Sequence, residues 1–380
     1  MAQTAEVLVI GGGMVGAAVG LGLVRKGAKV LIVDEDDNAL RTARGNFGLV
    51  WTQTKGLGLQ RYQEWTRESA ALYSDFAGLL TEETSLSLGH QQLGGLTICT
   101  TEEEISQSET LIEQMKAQAG NLPYEAEMID RQSIQSLIPG IRFGDSVQAA
   151  AYSKHDGHVN PLKLLRAMLK SYQLHGGKYQ INSKVTDIKP TSAGNYEIQV
   201  ADKTTIHAEK VVIACGHGIP ALAEKCGMKC PTRPQRGQVL VTERLDQILP
   251  LPMGSIRQTD EGSILLGVSH EEVGFNDKNS ADVAGNIAAR AIRILPDLEK
   301  VNIVRAWGAL RIMPPDGCPI YDESEKYPGV FMVTNHSGVT LAAVHSMRLP
   351  EWILDRRMAI GFEEFSSLRF EKTDYASTPH

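Results

Sequence analysis

EVLVIGGGMVG at residues 6–16, with KVLIVDE at 29–35, is the stretch from which the fold is read. Its first five residues form a short apolar run bounded by glycine, as a buried strand does. Met14 to about Lys26 is small and aliphatic and reads as a helix, which Gly27 breaks before the second apolar run. Strand, helix and strand in this order predict two parallel strands joined by a crossover helix. Gly11, Gly13 and Gly16 fall in G-x-G-x-x-G spacing directly after the first strand. Gly11 permits the tight turn, Gly13 lets the backbone approach a pyrophosphate, and Gly16 allows close helix packing. Met14 and Val15 open a helix whose free N–H groups and positive dipole end suit phosphates. Asp34 ends the second strand, where an acid grips a ribose hydroxyl and disfavours a 2′-phosphate. The motif predicts a dinucleotide and leaves FAD and NAD open.

Further along, Tyr62, Trp65, Leu72, Phe76 and Leu79 recur at helical spacing and predict one long amphipathic helix from Leu59 to Leu80. GGLTICT (94–100) reads as a strand, and TEEEISQSETLIEQMKAQAG (101–120) as an exposed helix with an acidic first turn. Asn160 and Pro161 are the N-cap and first residue of a helix running to Gly177. KVTDIKP, YEIQV and KVVIACGHG are strands, the last a return to the first sheet. QVLVTE and SILLGVS alternate like an antiparallel sheet. GVFMVTN (329–335) is a final strand before a helix in HSGVTLAAVHSMRLPEWILD (336–355), and the last residues, TDYASTPH, form a loose tail.

The fold expected is α/β: a Rossmann domain with a smaller lobe on an antiparallel sheet. Both are discontinuous, the first from 1–85, 150–220 and 321–380, the second from 86–149 and 221–320. A length of 380 residues suits two or three such units at roughly 150 residues each. A net charge of −7 and no basic run argue against nucleic acid as the main partner. The five cysteines (Cys99, Cys215, Cys226, Cys230, Cys318), an odd number, suit reduced thiols and a cytoplasmic setting. The N-terminal apolar run is interrupted by glycines and lacks a charged leader, so it is read neither as a signal peptide nor as a membrane span.

Pattern pieces spread over nearly the whole chain resemble the D-amino acid oxidase family of FAD-dependent amine oxidoreductases. They are GGGMVG, GNFG (45–48), GGLTICT, GHVNP (157–161), VVIACG (211–216), RGQ (236–238), WGALRIMPPDGCPI (307–320) and HSGVTLA (336–342). Within it, GNFGLVW and HSGVTLAAVH look most like the branch of opine oxidase catalytic subunits, hydrogen cyanide synthase and hydroxyproline dehydrogenase. The resemblance implies a FAD-binding Rossmann domain of the glutathione reductase type with a smaller substrate domain on an antiparallel sheet, and hydride transfer from the carbon beside an amine to flavin N5, the imine then being hydrolysed. For this branch the substrate expected is an N-substituted amino acid such as an opine, cleaved to an amino acid and a 2-oxo acid. It also implies that electrons leave through a different partner subunit.

The resemblance implies residue roles as well. Arg44, Asn46, Phe47, Gly48 and Leu49 run along FAD; Val185, Ala214, Gly216 and Gly308 are further cofactor contacts. Gly338, Val339, Thr340 and Leu341 lie under the flavin pyrimidine, where reduction builds negative charge. Arg311 takes the family's carboxylate-binding position, and a guanidinium holds a carboxylate through two parallel hydrogen bonds. Arg257 is the expected partner of a second carboxylate, and His336 is expected to line the active site. Bulky Trp51 and Phe47 argue against a glycine-sized substrate, and Lys55 is a cation poised beside flavin. Sarcosine oxidase relatives attach FAD through a cysteine near Leu310 and Arg311; none stands there, which implies noncovalent FAD.

Cys226 and Cys230 share a helix face but lack two further ligands nearby, and are read as thiols without a metal. His155 and His158 read as loop residues. The competing readings are a D-amino acid, glycine or hydroxyproline oxidase or dehydrogenase, a flavin-bearing electron-transfer subunit without its own substrate site, and a NAD-dependent opine dehydrogenase.

Overall fold

The computed structural model describes residues 3–36, 41–201, 204–357 and 361–371, with the Arg41 and Arg44 side chains outside that description. The tail read at 373–380 lies outside the described residues too. The fold is mixed α/β, as the element pattern predicts.

Its first layer is a parallel sheet. Val330–Thr334, Thr205–Ile213, Gln3–Ile10, Val30–Val33 and Lys178–Gln180 lie side by side in that order, all parallel. The central strands carry the Val, Leu and Ile runs because both faces are covered there, and Val7, Leu8 and Val9 are fully buried, whereas the edge strand Lys178–Gln180 is polar and partly exposed. Ile320–Glu323 pairs antiparallel at the edge, beside Val330–Thr334.

On one face Met14–Arg25 packs against Pro161–Leu174 and Ala342–Met347. Gly22 allows the last contact, since a Cβ there would sit 2.0 Å from the Ser346 carbonyl oxygen. The Asn160 side chain caps its helix through the Leu162 and Lys163 N–H groups, with Pro161 in the first turn.

The long helix is Gln60–Thr84. It buries Tyr62, Trp65, Ser69, Tyr73, Phe76 and Leu80, while Leu79 is 41% exposed. The buried stripe steps from Phe76 to Leu80, so Leu79 falls on the wet face. The C-terminal helix is two pieces, Ala342–Met347 and Leu349–Asp355. Pro350 cannot donate a backbone hydrogen bond, and its ring disfavours helical geometry in the residue before it.

The second layer is an antiparallel sheet in the order Ile256–Gln258, Ser263–Leu266, Arg233–Arg244, Ile303–Met313. A three-stranded sheet of Gly95–Cys99, Ala149–Ser153 and Glu127–Asp130 has its own apolar packing continuous with this layer, through Leu96, Ile98 and Met253. Leu49–Val50 pairs with Gly157–His158 between the two layers. Among the described residues, no helix is long and apolar enough to cross a membrane.

Candidate active site

Two adjoining cavities lie where the layers meet. The first, of ≈ 350 Å³, opens at the ends of the parallel strands; the second, of ≈ 290 Å³, lies toward the antiparallel sheet. Thr42, Asn46 and His336 line both, so one leads into the other.

Gly11, Gly13, Met14, Val15 and Asp34 line the first cavity, as do Val185, Ala214, Gly216 and Gly338. Gly11 has φ +103°, and a Cβ there would lie 2.6 Å from the Ala214 carbonyl oxygen. Gly16 lies beneath the turn, where a Cβ would come 1.9 Å from the Gly11 carbonyl oxygen. Gly13 is different: no atom lies within 4 Å of where its Cβ would be. A flat anionic group can therefore reach the backbone there.

Asp34 accepts the Gly12 N–H at 2.6 Å and the Asp36 N–H at 3.2 Å. A carboxylate has about four lone-pair sites, so sugar hydroxyls still find acceptors.

Asn335 was not foreseen. It directly follows the last parallel strand, is 4% exposed and lines the first cavity. Both its side-chain polar atoms lack a partner among the described residues. A buried polar group left unpaired costs about 1–3 kcal/mol, so the cavity suits an occupant carrying both donors and acceptors. FAD fits on these grounds: room for phosphates over Gly13, an acid for ribose, and an amide for a polar ring edge. The N–H groups of Gly338, Val339 and Thr340 likewise donate to nothing among the described residues.

Arg311, Lys55, Trp51, His336, Phe47, Leu49, Val339 and Thr340 line the second cavity. Arg311 comes from the edge strand, where it pairs in register with Gln235. Its Nη1 donates to the carbonyl oxygens of Ser269 (2.9 Å) and Arg236 (3.2 Å), which leaves Nε and Nη2 without partners among the described residues. Gly237 makes room for it, since a Cβ there would meet the guanidinium at 2.3 Å. Burial lowers the Arg311 pKa to about 10, opposed by Glu271.

Lys55 Nζ lies 3.5 Å from His336 Nδ1. Burial, and then the Arg311 charge, bring its pKa down to about 8. Thr54, just before it, holds φ +63°.

Under this loop sits Asp156, fully buried and also unforeseen. It accepts from the Thr52 N–H and hydroxyl, each at 2.6 Å, and from Gln53 Nε2 at 2.9 Å. Burial pushes its pKa up to about 7, opposed chiefly by those donors. Thr340 fastens the same loop from the other side, its hydroxyl donating to the Leu49 carbonyl and accepting the Trp51 N–H, both at 3.2 Å.

Several expected contacts fall outside both cavities. Arg257 is 2% exposed and does not face substrate space; its Nε donates to the Phe47 carbonyl at 2.6 Å and Nη1 lies 3.2 Å from His158 Nδ1. It positions the Phe47 loop instead. Gly308 faces the Asp277 carbonyl, which a Cβ would meet at 2.5 Å. Leu341 is fully buried in the core. The Gly48 N–H is taken by Asn46 Oδ1 at 2.8 Å, in a turn with φ +88°. The Arg44 side chain lies outside the described residues.

His155 pairs with Glu125. The five cysteines are free, and among the described residues no group of three or more His, Cys, Asp or Glu could hold a metal. Cys318 is buried and lines neither cavity.

Residues 6–352 match the family model of DAO, FAD-dependent oxidoreductases. The chain is similar to a subunit of the opine oxidase of Agrobacterium tumefaciens (strain Ach5), at 37% identity over 96% of this chain and 97% of that one. The corresponding opine oxidase subunit of Rhizobium meliloti is 35% identical over 96% and 98%. Among solved structures, glycine oxidase from Geobacillus kaustophilus superposes with a TM-score of 0.85 at 22% identity, covering 100% of this chain and 99% of that one. Glycine oxidase from Bacillus cereus gives 0.84 at 24%, over 96% and 98%. The glycine-rich turn, the paired cavities and these matches meet in one conclusion: the chain is an enzyme of the DAO family of FAD-dependent oxidoreductases.

Proposed function

We propose that the chain is the flavin-bearing subunit of a heteromeric oxidase or dehydrogenase for opines, secondary amines joining an amino acid to a 2-oxo acid skeleton. The observation that carries this reading is the junction of the two cavities at Thr42, Asn46 and His336, which sets a cationic pocket beside the dinucleotide cradle. The relatives named as opine oxidase subunits support the substrate class and the heteromeric role. The FAD-binding part comprises 1–85, 150–220 and 321–380, and the substrate part 86–149 and 221–320.

When bound, FAD accepts a hydride at N5. This chain's residues prepare the donor. Arg311 offers Nε and Nη2 to a carboxylate of the substrate, which fixes the orientation of the neighbouring carbon. The positive charges of Arg311 and Lys55 lower the pKa of a substrate ammonium placed between them, favouring the neutral amine whose lone pair expels hydride. Trp51 and Phe47 cover the pocket with apolar surface. The oxidised product is an imine, and water splits it into an amino acid and a 2-oxo acid.

The test is anaerobic mixing of the purified, FAD-loaded protein with a panel of opines and simple amino acids while the visible flavin absorbance is followed. Bleaching by opines is expected; no bleaching by any member would sink this reading. We also infer that FAD is held noncovalently, since among the described residues no cysteine lines the second cavity with Arg311, and Cys215, which lines the first, has its thiol pushed up to about 12 by burial and is a poor nucleophile. Acid precipitation should then leave the yellow colour in the supernatant, and colour in the pellet would overturn that inference.

A further inference from the structure

The second cavity holds two cations from distant parts of the chain, and among the described residues no Asp or Glu lines it. The nearest acids are committed elsewhere. Glu271 accepts from Arg236, Gln238 and Ser269, and Asp156 from Thr52 and Gln53. Neither Lys55 nor Arg311 forms an ion pair with a described residue. A monocarboxylate would neutralise one of these half-buried charges and leave the other without a counter-charge, which is unfavourable.

We infer that Lys55 binds the substrate carboxylate that Arg311 does not, the secondary amine of the opine lying between the two. This deepens the proposed function and rests on it. Lys55 thereby takes the part that the sequence suggested for Arg257, whose guanidinium faces Phe47 and His158. The strained Thr54 turn and the buried Asp156 make Lys55 more than a loop residue. Asp156 anchors Thr52 and Gln53, and Gln53 in turn donates to the Gly95 carbonyl at 3.1 Å and accepts from Thr97 at 2.9 Å. The loop is tied on every side just before the lysine. A lysine delivers a compact charge on a long stem, and suits a second carboxylate whose distance from the first varies between substrates.

The experiment compares matched probes on the FAD-loaded protein: the N-(1-carboxyethyl) derivatives of L-alanine, L-arginine and L-glutamate, each against its N-ethyl analogue, which lacks only the second carboxylate. Wild type is expected to favour the dicarboxylate by about 10- to 100-fold in KM, as for loss of one hydrogen-bonded charge. Lys55→Met should lower kcat on both probes alike, since its charge also favours the neutral amine, but raise KM for the dicarboxylate alone, and Lys55→Arg should restore most of the preference. An equal rise in KM on both probes in Lys55→Met, or no change in either KM, would overturn the role of Lys55. A wild type that uses N-ethyl analogues as well as dicarboxylates would overturn the substrate class while leaving the amine oxidation intact. Bleaching by neither series defeats the proposed function itself, and is told apart from the other failures by the silent wild type.

Discussion

The dinucleotide cradle takes its lining mainly from residues 10–15, 33–35 and 214–219, where parallel strands end side by side. The cationic pocket takes Lys55 from a loop, Arg311 from an antiparallel edge strand and His336 from the turn after the last parallel strand. The cradle is a matter of backbone, with missing Cβ atoms and free N–H groups. The pocket is a matter of side-chain charge. Damage to the first should cost the fold or the cofactor, and damage to the second should cost selectivity in a protein that stays folded and yellow.

The most severe way to probe that contrast is Gly16→Val, which drives a side chain into the Gly11 carbonyl, 1.9 Å from where the Cβ would stand. We expect a loss of about 3 kcal/mol or more, read by thermal unfolding. Gly13→Ala meets no atom within 4 Å, so it should leave the fold intact and weaken FAD binding alone, measured by fluorescence titration.

Next is Arg311→Lys. Losing the guanidinium edge should lower kcat/KM by roughly 100-fold with an unchanged melting temperature. Gly237→Ala should raise KM in the same direction by displacing the guanidinium.

Arg257→Ala reverses the pattern within the second layer. It removes the donor to the Phe47 carbonyl and the partner of His158 Nδ1, and should cost about 1–3 kcal/mol of stability. KM should hardly move; a large KM change with unaltered stability would restore Arg257 to the substrate site.

The smallest effect is in pH. Lys55 titrates near 8 among Arg311, Cys318, Asp156 and His336. Its folded pKa is depressed, so the charge is present below about 8 and lost above it. The preference for dicarboxylate over N-ethyl analogue should therefore fall as pH rises through 8, by up to about tenfold in kcat/KM. The same ratio in Lys55→Arg should stay flat, and comparing matched amines cancels the titration of the substrate itself.

The cradle was legible because its parts are consecutive. Gly11, Gly13, Gly16 and Asp34 act through spacing along one βαβ unit, and no distant contact has to be guessed. The pocket was legible only in pieces. Arg311 and Lys55 were noticed singly, but that they share a cavity depends on strand register and on a turn nearly 300 residues from Lys55. Arg257 was expected at a second carboxylate, since a guanidinium in the run from Ser255 to Asp260 gives no sign of what it faces; it lies in a buried strand and its guanidinium donates to a carbonyl of another segment. Asn335 carries no motif, and its one signal was its position directly after a predicted parallel strand. Leu79 and the break at Arg348 were missed for local reasons, a helical phase that drifts by one residue and a proline two positions on.

The tie between Thr340 and the loop at Leu49 and Trp51 sets an order of events during biosynthesis. The nucleotide-binding turn leaves the ribosome about 300 residues ahead of the strand Val330–Thr334 and the Thr340 hydroxyl, which complete its surroundings. Domains that are continuous in sequence can fold as they emerge. This chain must keep its glycine turn waiting, unfinished, until Thr340 has been translated, so fragments that stop before Val330 should accumulate colourless.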